Sequence, residues 1–227
     1  MTARSPVPGL LPHRFLFRYA LPIRYERKLP KSGKRLLALS SDFALPDFGP
    51  LDKAAPICQL RLAWNERGLG ISVEVEGKRR PPRCEAYSPE TSDGLKVFID
   101  TRDTQNIHRA SRYCHQFGLF PRRADGGGDG PWAVQIPILR AREEAPRANA
   151  AEIRLWAAVS KTGYCLESWL PAAVLHGYDP EVQPRLGFYF ALRDAELGEQ
   201  FLSVGADFPF AIDPSLWSTL DLVRSLD

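Results

Sequence analysis

Between Asp100 and His115 the chain reads DTRDTQNIHRASRYCH, its densest run of mixed polar chemistry. Arg102, Asp103, His108, Arg109, Arg112, Tyr113 and His115 crowd into this stretch. The three arginines offer planar, forked donors of the kind that grip a carboxylate or phosphate. Polar loops carried on a rigid scaffold are where binding sites tend to lie. His115 shares a two-residue phase with Phe117, so it is expected to face inward and to need a partner such as Asp100 or Asp103. Two readings stay open: a polar network tying a loop to a sheet, and a site for an anionic or sugar-like ligand.

A second group consists of aromatic residues on the polar phase of apolar runs. Trp156 is out of step with Ile153, Leu155, Ala157 and Val159. Tyr189 and Arg193 are out of step with Phe188, Phe190 and Leu192, and Trp169 shares its phase with Glu167. An aromatic ring presents a flat apolar face that can stack on the C–H face of a pyranose. If their strands are neighbours, Trp156, Trp169, Tyr189 and Arg193 line one sheet face. The alternative is that a long loop or the N-terminal arm covers that face.

Among metals, calcium would suit the oxygens of Asp93, Asp100, Asp103 and Asp194, although no EF-hand loop supports them. His108, Cys114 and His115 lack a zinc-binding spacing, and no other cofactor is expected. Catalysis is poorly signalled: there is no Gly-x-Ser-x-Gly elbow, Walker loop or His-Glu-x-x-His. Glu167 with Glu152 or Asp194 would make a glycosidase pair only if they converged in a cleft, and strand phase reads them as surface carboxylates. Binding without catalysis is therefore the expectation.

The elements that would carry these residues are strands. Leu60, Leu62 and Trp64, then Leu69, Ile71, Val73 and Val75, alternate with polar or small residues about an Asn65–Gly68 turn, which predicts a hairpin. The same period recurs at Leu95–Ile99, Tyr113–Leu119, Trp132–Ile138, Ile153–Val159, Tyr164–Ser168 and Leu186–Leu192. Pro171–Leu175 and Asn106–Arg112 could each form a short helical turn. With 20 prolines and 17 glycines punctuating 227 residues, the pattern predicts an all-β fold. The expected form is a two-sheet antiparallel β-sandwich, jelly-roll-like, with one or two short helices. Residues 1–35 are expected to form an arm or edge strand, with Pro22 tolerated at the edge. Residues 36–227 would form the single sandwich, and Asp125–Gly130 a flexible loop.

A formal charge of +3, from 30 basic and 27 acidic residues that are interspersed, argues against nucleic acid. No run approaches the roughly 18 apolar residues of a membrane-spanning helix. Arg4, His13, Arg14 and Arg18 interrupt any secretory apolar segment, which points to a cytoplasmic protein. Cys58, Cys84, Cys114 and Cys165 show no Cys-x-x-Cys pair and are read as free, buried thiols.

Four stretches in order resemble the family 9 carbohydrate-binding modules and their DOMON-type relatives. They are Leu62–Leu69 (LAWNERGL), Ser92–Asp100 (SDGLKVFID), Gly163–Pro171 (GYCLESWLP) with Leu175, and Arg185–Asp194 (RLGFYFALRD) followed by Leu216–Leu222 (LWSTLDL). The resemblance covers about Leu36 to Val223. It implies a β-sandwich that binds a saccharide without catalysis, often with calcium, and it matches Trp217 to the family's terminal tryptophan. Two positions depart from the pattern. Glu90–Asp93 lacks the tryptophan common before the second motif, and Lys96 stands where an acidic residue is frequent. Haem ligation through Met and His, a property of DOMON relatives, is not expected because Met1 is the only methionine. An intracellular protein-interaction domain is the competing reading, and a hydrolase the weakest.

Overall fold

Alternation of apolar and polar residues sets the strands, and their pairing sets the rest. The computed structural model describes residues 13–52, 54–85, 88–123 and 130–224. Except for Gly130, the glycine-rich stretch Asp125–Gly130 lies outside the described residues. The strands are β1 (Ala20–Tyr25), β2 (Cys58–Asn65), β3 (Gly68–Glu76), β4 (Gly94–Asp100), β5 (Cys114–Phe120) and β6 (Trp132–Gln135). They continue as β7 (Arg154–Val159), β8 (Gly163–Pro171), β9 (Arg185–Asp194), β10 (Gly198–Phe201) and β11 (Ser218–Val223).

The predicted hairpin forms in register: Leu60 faces Val73, Leu62 faces Ile71 and Trp64 faces Leu69. These side chains are buried in one cluster with Leu95, Val97, Ile99, Phe117 and Leu119 from the other half of the chain. Each such side chain taken fully out of water contributes about 1.5–3 kcal/mol. One core therefore unites strands far apart in sequence.

The expectation of two separate antiparallel sheets needs correction. Hydrogen bonding follows one path, β6-β5-β4-β9-β11-β1-β2-β3-β8-β7, with β10 added to β9. This nearly closed, barrel-like sheet wraps around the core. Its joint is β1, which runs parallel to both β11 and β2. The strand within the N-terminal stretch is thus no edge strand. Pro22 is nonetheless accommodated, because pairing with β2 begins only at Arg24. A two-residue period reports which face a side chain takes, not which strand lies beside it.

Only 3₁₀ turns of three or four residues occur among the described residues, and no α-helix does. Ala172–Val174 forms one such turn, directly after Pro171. Asn106–Arg112 forms no helix. The four cysteines are free; three are buried and Cys165 is half-buried.

After β1 the chain returns over the outer face of β2, β3 and β8. There Leu29, Leu36, Leu37 and Leu39 pack on Ala63 and Trp169, with Phe43 and Trp156 at the margin. Gly70 permits this close approach: a Cβ there would lie 3.1 Å from a methyl of Leu37. A buried carboxylate fastens the arm. Glu167 accepts hydrogen bonds from Leu37 N (2.9 Å), Ala38 N (3.0 Å) and Arg35 Nε (3.0 Å).

Candidate ligand-binding site

The arm removes the first two predicted aromatics from solvent contact with a ligand. Trp169 is 3% exposed beneath Leu29 and Leu37. Trp156 is half-buried, with the Arg35 guanidinium 5.0 Å above its ring. Tyr189 and Trp217 lie on the opposite half of the sheet, so the predicted aromatics do not share one face. The segment after β10 roofs this second pair. Phe210 stacks on Tyr189 at 4.5 Å and meets Phe98 edge-on at 5.7 Å. Trp217 Nε1 donates to Phe210 O at 2.8 Å, and the Tyr189 hydroxyl donates to Val204 O. Both side chains serve as buried packing.

Beside this aromatic cluster the outer face of β4, β5 and β9 stays open as a pocket of ≈ 200 Å³. Its polar lining is Glu90, Ser92, Lys96, Gln116, Arg193 and Glu199, and its ring walls come from Phe98, Phe120, Phe201 and Phe210. The residue types explain the opening. Lys96 stands between Gly118 on β5 and Ala191 on β9, two small neighbours that leave its surroundings empty. Phe120 lies across Gly94 and Gly118, where an added Cβ would come within 2.6 Å and 2.7 Å of its ring. Burial pushes the Lys96 ammonium below its ordinary pKa, an effect that Glu90 opposes. Arg193 Nη1 donates to Thr91 O. Gln116 is 8% exposed, and its carboxamide makes no hydrogen bond among the described residues.

Of the residues predicted for ligand contact, only Arg193 lines this pocket. Glu90, Lys96, Gln116, Glu199 and Phe201 were not foreseen as contacts. Lys96 and Gln116 had a readable signal, since each occupies the polar phase of a predicted strand.

The Asp100–His115 stretch is mainly a structural network. Asp100 accepts from Arg102 N (2.9 Å) and Thr104 N (2.7 Å), closing the turn after β4. Asp103 holds the Thr219 hydroxyl at 3.0 Å and Gln105 Nε2 at 2.5 Å. The arginines diverge and form no common anion fork. Arg102 lies 4.6 Å over the Tyr113 ring, Arg109 donates to Arg140 O and Ala141 O, and Arg112 pairs with Glu143 at 3.4 Å. His115 does face inward, but neither Asp100 nor Asp103 partners it. Its Nε2 meets His176 O at 3.3 Å, its Nδ1 has no partner, and burial lowers its pKa to about 4. His108 stays exposed, beside Asp213 (3.2 Å) and Ser215 (3.1 Å). His108, Asp103 and one edge of Trp217 border a separate groove against the N-terminal arm.

The four aspartates proposed for calcium fall at two places, Asp93 and Asp194 at one end of β4 and Asp100 and Asp103 at the other. At the first, Lys78 Nζ fills the space between them, 3.3 Å from Asp93 Oδ2 and 2.6 Å from Asp194 Oδ1. Backbone amides of Arg83, Ala195, Glu196 and Leu197 also donate to these carboxylates. Donors converge where a cation would need acceptors, so this set does not fit calcium. Among the described residues no cluster of three or more His, Cys, Asp or Glu is placed to hold a metal ion.

No protein-family model matches the chain, and no curated protein does. Solved structures do. A family 9 carbohydrate-binding module from Caldicellulosiruptor kristjanssonii, in complex with cellotriose, aligns with a TM-score of 0.61 at 11% identity, covering 92% of this chain and 96% of that one. The module from that organism in complex with glucose aligns at 0.60 and 10% identity, covering 92% and 98%. A Bacteroides uniformis protein aligns at 0.59 and 10% identity, covering 91% and 100%. At such identities the likeness speaks for architecture: this chain has the fold of the family 9 carbohydrate-binding modules.

Proposed function

We propose that this chain is a non-catalytic saccharide-binding module and that the pocket on β4, β5 and β9 is its site. The observation that carries this reading is the pocket's make-up. Aromatic walls stand beside a half-buried ammonium, a guanidinium, two carboxylates and a carboxamide with no partner of its own. Sugars are recognised by this combination, because C–H faces stack on rings while hydroxyls both donate and accept. The Caldicellulosiruptor kristjanssonii structures that share the fold hold cellotriose and glucose, which directs the choice of ligands toward glucans. The absence of catalysis is supported by Glu167 and Asp194: both are buried and engaged in ion pairs, so neither serves a glycosidase pair.

Isothermal titration with glucose, cellobiose, xylobiose and a panel of cell-wall oligosaccharides tests the reading. Saturable binding is expected, weakened about tenfold in Gln116→Ala or Arg193→Ala, as loss of one well-placed hydrogen bond predicts. A flat response across the panel, or variants that bind like the parent, would count against it.

A further inference from the structure

A second cavity, of ≈ 350 Å³, adjoins the saccharide pocket. Its lining is mostly apolar, from Val134, Ile136 and Ile138 on one side and Ala141, Ala145 and Ala148 on the other. Glu143, Glu144 and Arg147 supply its charged lining. Its walls are hydrogen-bonded in place. Arg142 N donates to Ala110 O at 2.8 Å, and Arg109 Nε donates to Arg140 O at 2.8 Å. Gln135 ties down the far side, accepting from Ala148 N at 2.6 Å and donating to Pro146 O at 3.1 Å. A cavity of roughly 150 Å³ with apolar walls already accommodates a benzene-sized group, so this one has room for a substituted ring.

The two cavities meet at Gln116, which borders both. Its backbone carbonyl is used by Ile136 N at 2.9 Å, which leaves the carboxamide as the uncommitted polar group at the junction. A carboxamide that lines both cavities is free to pair with a bound molecule in place of water. A group that straddles the junction would need an acceptor for Nε2 and a donor for Oε1. An ether oxygen flanked by a sugar hydroxyl meets that requirement.

We propose that the ligand is a glycoside with an apolar, ring-bearing aglycone. The sugar sits in the pocket of Lys96 and Arg193, the aglycone enters the cavity between β6 and the 138–148 segment, and Gln116 holds the glycosidic junction. This rests on the saccharide reading above and specifies its ligand class.

The test compares matched pairs, methyl and 4-nitrophenyl β-glycosides of glucose and xylose, by calorimetry on the full chain. 4-Nitrophenol alone serves as a control. The aryl member is expected to bind at least about tenfold more tightly than its methyl partner, as burial of a ring predicts. Ala145→Phe, which fills the cavity from a half-buried loop position, should abolish that difference and leave the methyl glycoside affinity intact. Ala148→Leu is a second filling variant, with circular dichroism reporting the fold of both. Equal affinities within each pair would overturn the aglycone inference alone. No binding by any glycoside would overturn both this inference and the saccharide reading. Binding of 4-nitrophenol as tight as that of its glycosides would overturn the bridging role of Gln116.

Discussion

Arg35 donates through Nε to the carboxylate of Glu167 at 3.0 Å, and this contact pins the N-terminal arm across the sheet. The two partners are unequal. The Glu167 side chain is fully buried, whereas that of Arg35 is 40% exposed. Removing the carboxylate in Glu167→Ala also strands the amides of Leu37 and Ala38, so a loss of about 1.5–3 kcal/mol is expected. Arg35→Ala should cost less than Glu167→Ala, because the guanidinium is partly exposed, its removal lets water reach the carboxylate, and the amides keep their acceptor. Urea unfolding of both variants measures the difference, and equal losses would refute this account of the clasp.

Lys78 is expected to be less replaceable. Lys78→Met leaves Asp93 and Asp194 buried without their cation, which should cost about 3–5 kcal/mol. Adding Asp194→Asn to that variant should restore part of the loss, since it removes one of the stranded charges. A double variant no more stable than Lys78→Met would show that the ion pair is not the source.

His115 gives the fold a pH dependence of predictable sign. Burial holds its folded pKa at about 4 against an ordinary value of 6.5, so the unfolded chain takes up a proton more readily. Stability from the neutral imidazole is complete above pH 6.5 and is lost progressively as pH falls toward 4. The loss amounts to about 3 kcal/mol at most. Asp100 and Asp103, whose carboxyl pKa burial raises, act with the opposite sign. The informative comparison is therefore between parent and His115→Phe. The variant should lose less stability between pH 6.5 and pH 4; parallel curves would remove His115 from the explanation.

Trp156 separates the two aromatic faces. Trp156→Ala should leave saccharide affinity within a factor of about two, because its ring packs under Arg35, while Gln116→Ala weakens binding. The opposite pattern, in titrations at matched protein stability, would move the site to the arm face.

The strands were legible because alternation at Leu60–Trp64, Leu69–Val75 and Leu95–Ile99 follows directly from burying one face. Their neighbours were not. Nothing local to Leu21 and Ile23 states that β1 lies between β11 and β2, since that pairing is a long-range event. Lys78, Asp93 and Asp194 were equally opaque: their partnership spans 15 and 116 residues. Glu167 read as a surface carboxylate because the arm that covers it is remote in sequence. The candidate site was half visible. Arg193 followed from phase, whereas Lys96 and Gln116 become a pocket only through the small residues opposite them on adjacent strands.

The parallel seating of β1 has a practical corollary. A shortened chain beginning near Leu36 would discard the strand that spans the gap between β11 and β2. Two backbone rims, each with donors and acceptors looking for company, would then face outward, a recipe for self-association. Fusion partners and cleavage sites for producing this protein accordingly belong upstream of Ala20, never between the arm and the sheet.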